Sequence, residues 1–163
     1  MNKQYELNSN VLVLRVKKAP LFVRSVMFFF SFLFFLLPLT GMILAITMGK
    51  GMHFGFIIGM FVFGVLGFYM LRISLLNTFG KEIITFENTN ITYIADYGWF
   101  KDGKKQKEYE KPLKYTIRQI GYKEDNEGGL VIELEEPILC VTKMPNAELG
   151  ELIDILNDLY ITQ

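Results

Sequence analysis

Two apolar runs decide most of what this chain can become. Residues 26–46, VMFFFSFLFFLLPLTGMILAI, pass 21 positions without a charge, and residues 54–71, FGFIIGMFVFGVLGFYML, add 18 more. A hydrocarbon layer about 30 Å thick is crossed by roughly 20 apolar residues in a helix, so each run is long enough to span it. Neither carries the polar stripe expected of a helix laid on a soluble core. A cleaved signal sequence has a shorter apolar region and no second run behind it. The short, glycine-rich connection TMGKGMH, residues 47–53, then predicts an antiparallel transmembrane hairpin.

The flanks orient that hairpin. Arg15, Lys17, Lys18 and Arg24 precede the first run, Arg72 and Lys81 follow the second, and the connection holds only Lys50. Basic residues gather on the cytoplasmic side, which places both termini inside and the connection outside. The zero net charge conceals an asymmetry. Residues 1–80 hold seven basic groups against the single acid Glu6, and residues 81–163 hold ten basic groups against sixteen acids. An acidic second half argues against nonspecific nucleic-acid binding, which needs a concentrated basic surface. The one cysteine, Cys140, lies in the apolar stretch ILCV and reads as a small buried hydrophobe, with no disulfide to form. One cysteine and one histidine, His53, leave little for a metal site, and nothing in the chain calls for a cofactor.

Inside the hairpin, Pro38 predicts a bend in the first helix. Gly51, Gly55 and Gly59 recur every fourth residue, the spacing that lets helices approach closely. They suit helix packing, either against Thr40, Gly41 and Ala45 of the first helix, the preferred expectation, or against a second copy. No acid or base falls inside either span, which argues against transport by the hairpin alone.

Beyond residue 81 the period changes. Ile91, Tyr93, Ala95 and Tyr97 alternate with polar positions, as do Leu130, Ile132 and Leu134, the pattern of half-buried strands. About five strands are expected, near 83–87, 90–98, 105–111, 115–122 and 130–142, with turns at Asp102-Gly103 and Gly128-Gly129. Residues 11–16, VLVLRV, predict a further strand that joins this sheet from the leader, 1–25. PNAELGELIDILNDLY, residues 145–160, sets Leu149, Leu152, Ile153, Leu156 and Leu159 on one helical stripe, with acids elsewhere. The domains are therefore the leader 1–25, the hairpin 26–71 and a cytoplasmic domain 81–163.

A strand, a two-helix hairpin, a run of antiparallel strands and a closing helix resemble the bacterial pleckstrin-homology-like (PH-like) membrane proteins, including the YcxB-like group. The match is nearest in ILCVTKMPNAELGELIDIL, residues 138–156, where a last strand turns into an acidic, leucine-rich helix. The resemblance implies a bent antiparallel sheet or barrel closed by the C-terminal helix, and it carries over no catalytic residue.

The chain shows no nucleophile elbow, phosphate-binding loop or paired metal ligands, so an enzyme is not expected. Two stretches invite lipid or anion contact. One is Arg15, Lys17, Lys18 and Arg24 beside the membrane. The other is YGWFKDGKKQK, residues 97–107, which joins Trp99 to Lys101, Lys104, Lys105 and Lys107. Topology determinants and a solvated hairpin are the plainer readings of the same residues. The sequence thus points to a non-enzymatic, membrane-tethered binding or scaffold protein that contacts a protein partner or the lipid surface. The alternative is an accessory subunit of an envelope or transporter complex, docking through the glycine face.

Overall fold

The computed structural model describes residues 3–51, 53–109 and 112–161. The chain divides into two compact units, one made of Met1–Lys17 with Phe79–Gln163, the other of Lys18–Thr78.

The helical unit contains α1 (Leu21–Thr47) and most of α2 (Phe54–Phe79). Both are long and apolar enough to cross a membrane, and only 11% and 6% of their most apolar windows are buried. Core helices of a soluble protein would bury far more. Both also outrun the apolar runs. α1 begins five residues early, behind Pro20 at its N-terminal boundary, and α2 continues past Arg72 to Phe79. Pro38 sits within an unbroken α1, where the Thr40 hydroxyl donates to the Leu36 carbonyl at 2.7 Å. The two helices approach at Gly67. A Cβ there would meet Phe35 at 3.0 Å and the Phe34 Cβ at 3.2 Å. The Phe34 and Phe63 rings lie 5.9 Å apart, and Ser31 Oγ reaches the Gly67 carbonyl at 3.4 Å.

The sheet unit holds two antiparallel sheets. The first runs β1 (Tyr5–Asn8), β2 (Val11–Arg15), β3 (Lys81–Phe86), β4 (Asn90–Asp96), β5 (Lys101–Glu108), in that order. β2 is paired along its whole length, Val11 with Thr85 through Arg15 with Lys81. The second sheet centres on β7 (Glu127–Glu133), with β6 (Lys114–Gln119) on one side and the short β8 (Ile138–Leu139) and β9 (Met144–Pro145) on the other. The sheets stay separate and do not close into a barrel, which corrects that part of the expected architecture. α3 (Asn146–Ile161) packs on β6, β7 and β9.

Period-two alternation builds the core. Leu12 and Leu14 from β2, Ile84 and Phe86 from β3, Ile91 and Tyr93 from β4 all turn inward, as do Leu130 and Ile132 from β7. Leu149, Leu152 and Leu156 of α3 are fully buried, each stabilising the fold by about 2 kcal/mol through burial. Leu159, placed on the same stripe by the sequence, is 42% exposed.

Two glycine-containing pairs expected at turns lie inside strands instead. Gly128 and Gly129 belong to β7, where added Cβ atoms would strike Ile117 at 2.7 Å and the Cys140 carbonyl at 2.7 Å. They permit close approach of neighbouring chain. Asp102-Gly103 lies in β5, where the register with β4 shifts by one residue and Gly103 takes φ +67°. The actual β4–β5 turn is 97–100, closed by Tyr97 N–H donating to the Phe100 carbonyl at 2.9 Å, with the two rings stacked at 4.9 Å.

Candidate functional site

Register places charged residues in a row across one end of the first sheet. Arg15 on β2 opposes Lys81 on β3, Lys81 opposes Asp96 on β4, and Asp96 opposes Lys101 on β5. This is the end where β2 leaves for α1 and where α2 delivers the chain to β3. Arg15 makes a two-pronged ion pair with Glu6 at 2.8 and 2.9 Å. Asp96 is buried, accepts the Gly98 N–H at 2.8 Å, and has the Lys81 and Lys101 ammonium groups at 3.5 and 4.0 Å. Only 9% of the Asp96 side chain is exposed against 43% and 61% for the two lysines, so solvent meets cations there.

The turn that follows is fixed by Gly98. It takes φ +87°, and a Cβ would fall 2.7 Å from the Phe79 Cβ. No other residue fits without moving the last residue of α2. Trp99, next in the chain, is 63% exposed. Val16 N–H donates to the Gly80 carbonyl at 3.0 Å, which brings the exposed Lys17 to the same end. Of the predicted contact residues, the fold therefore gathers Arg15, Lys17, Trp99 and Lys101. Lys18 and Arg24 fall in the helical unit. Lys18 is exposed, and Arg24 is half-buried with its Nε unpartnered among the described residues.

The other three lysines go elsewhere. β5 is an edge strand, and its backbone advances about 3.3 Å per residue, so Lys107 lies roughly 20 Å from Lys101. Lysines along an edge discourage pairing with foreign strands, and that explains Lys104 and Lys105 without any ligand. Lys107 forms an ion pair with Glu136 across a cleft of about 400 Å³ lined also by Lys104, Lys105, Pro137 and Ile138. That hydrogen bond, helped by nearby Lys105, holds the Glu136 carboxyl below its usual range. Glu133 accepts from the Thr116 hydroxyl at 2.7 Å. A second cleft of about 570 Å³ lies beside it, among Thr89, Tyr109 and Leu134.

The least anticipated group is Glu82. It is fully buried on the core face of β3, and three donors meet its carboxylate. Tyr93 Oη and the Val141 N–H donate to Oε1 at 2.6 and 2.9 Å, and the Thr142 N–H donates to Oε2 at 2.6 Å. Glu82 thus ties β3 and β4 to the segment between β8 and β9, clasping one sheet to the other. Burial, then the adjacent Glu82 charge, pushes the Tyr93 hydroxyl and the Cys140 thiol well above their ordinary values. The signal was present in KEIITF, where Glu82 shares the parity of Ile84 and Phe86.

Gly51, Gly55 and Gly59 are not where the hairpin closes. Among the described residues, nothing lies within 4 Å of a Cβ built on any of them, and the close approach falls at Gly67. No group of three or more metal-ligating side chains occurs among the described residues. Compared with protein-family models, curated proteins and solved structures, the chain matches none.

Proposed function

We propose that this chain is a two-span protein of a bacterial inner membrane, with both ends in the cytoplasm, whose PH-like sheet domain serves as a non-enzymatic, tethered binding or scaffold module. The observation that carries the reading is the pair of long apolar helices, of whose most apolar windows only 11% and 6% is buried. An apolar surface of that extent needs a nonaqueous surrounding. The order of strand, helical hairpin, antiparallel strands and closing helix supports the PH-like reading. A binding role suits a domain in which Glu82 is engaged in the clasp, Glu133 with Thr116 and Glu136 with Lys107.

Cysteines introduced as Lys50→Cys and Lys104→Cys in a Cys140→Ala background test the arrangement. An impermeant maleimide applied to intact cells should label position 50 and reach position 104 only after lysis. Labelling of position 104 from outside, or release of the chain by alkaline carbonate, overturns the proposal.

A further inference from the structure

The basic row, the Trp99 turn and the entry of both helices occupy the same end of the first sheet. The opposite end carries the exposed Glu87 and Glu108 beside Lys107, and the basic end also holds the exposed Asp102 next to Lys101. We propose that the basic end, Lys17, Lys81 and Lys101 with Trp99 among them, docks on the anionic headgroups of the bilayer that holds α1 and α2, with the Trp99 ring in the headgroup layer. This rests on the membrane reading above and adds the surface, its ligand chemistry and its orientation.

Length supports the placement. Counting roughly 20 helical residues from Phe54 for the hydrocarbon brings its far edge close to Arg72, the first charge of α2. Phe79 then stands about 9 Å further on, just past the outer edge of a headgroup layer roughly 5–8 Å deep. Gly98 holds the turn against Phe79, so Trp99 stays close to the residue at which α2 ends. An indole ring, apolar with one polar N–H, favours this layer. The charges agree. The one acid in the row after Arg15, Asp96, lies beneath Lys81 and Lys101, leaving their ammonium groups outermost. Lys104, Lys105 and Lys107 lead away along β5 and have no part in the contact.

Trp99 is the sole tryptophan, so the chain reports on itself. The full-length protein is placed in nanodiscs of phosphatidylcholine alone or mixed with phosphatidylglycerol, and Trp99 quenching by acrylamide is measured. Protection should be greater in the anionic discs and fall toward the neutral-disc level as salt is raised. Each exposed lysine near an anionic leaflet shifts the docked-to-free ratio by about fivefold, so Lys17→Gln with Lys101→Gln should lower it about 25-fold. Lys104→Gln with Lys105→Gln should leave it unchanged. Equal quenching in both disc types, no response to salt, or an equal effect of the Lys104/Lys105 pair overturns the docking surface while the membrane reading stands. A chain that does not enter discs at all brings both down.

Discussion

Replacing Glu82 by glutamine tests the clasp between the two sheets at nearly constant volume. Among the described residues three donors and no acceptor meet the carboxylate, and a carboxamide cannot satisfy all three. In its better orientation the amide oxygen takes the place of Oε1 and keeps Tyr93 and Val141. The amide nitrogen then faces the Thr142 N–H, donor against donor, where 2.6 Å separated acceptor from donor. One charge-assisted hydrogen bond is lost, a buried N–H is left unsatisfied, and the two retained bonds weaken from the charged to the neutral kind. Together these cost about 3 kcal/mol. Tyr93→Phe removes one donor and orphans nothing on Glu82, for a cost of about 1–2 kcal/mol. Thr142→Val leaves the backbone donor in place. It also discards a buried hydroxyl that has no partner among the described residues, so it should be neutral or slightly stabilising.

Cys140, the only cysteine and buried beside the clasp, supplies the assay. Its labelling by a maleimide in the full-length, detergent-solubilised protein tracks the population of locally opened molecules. About 3 kcal/mol corresponds to a rate rise on the order of a hundredfold for Glu82→Gln, with about tenfold for Tyr93→Phe and no rise for Thr142→Val. A Glu82→Gln rate within a factor of about two of the parent would refute the clasp, since no lost bond worth 1–3 kcal/mol could then exist. Equal rates for Glu82→Gln and Tyr93→Phe would refute the role of the two backbone donors.

Two further outcomes follow from the packing. Gly67→Leu should separate the helices, because even a Cβ there stands 3.0 Å from the Phe35 ring, and it should lower hairpin resistance to proteolysis; Gly55→Leu, with nothing within 4 Å, should not. If the glycine face docks a partner or a second copy, Gly55→Leu will instead show itself as loss of a co-purifying species. Stability should also fall at high pH. The Cys140 thiol and Tyr93 hydroxyl are raised in the folded chain above ordinary values of 9.0 and 10.0, so the folded state resists their ionisation. Their contribution is complete below those values and declines as pH climbs past them, because the unfolded chain loses its protons first. Denaturation midpoints compared at pH 8 and about pH 10.5 should show a loss that Cys140→Ala and Tyr93→Phe each reduce.

Strands were readable where one face is apolar and the other polar. VLVLR in the leader and the alternation from Ile91 to Tyr97 both form strands close to their expected limits. β1, only four residues with a single buried side chain, Tyr5, carries too little pattern to stand out. Glycine misled twice for one reason: it serves turns, bulges and close backbone approach alike, and only the neighbours of Gly103 and Gly128 tell which. The end of α2 was misjudged because a membrane pattern stops at the first charge, Arg72. A helix stops where its hydrogen bonds stop, here one residue before Gly80.

The site was legible only in pieces. Arg15 and Lys101 are 86 positions apart in the chain and appear unrelated until β2, β3, β4 and β5 are laid in register, when they fall in one row with Lys81 and Asp96. Conversely, Lys101 and Lys107 look like one cluster because they are near in sequence, yet an extended strand sends them apart. A helix would have kept such a run within one or two turns. The strand makes its first lysine part of the end that receives the helices, and the remainder an edge guarded against pairing. That division makes the two lysine pairs of the quenching experiment informative against each other. They remove equal charge, and Lys101 shares one strand with Lys104 and Lys105, so distance from the helix entry is what separates their effects.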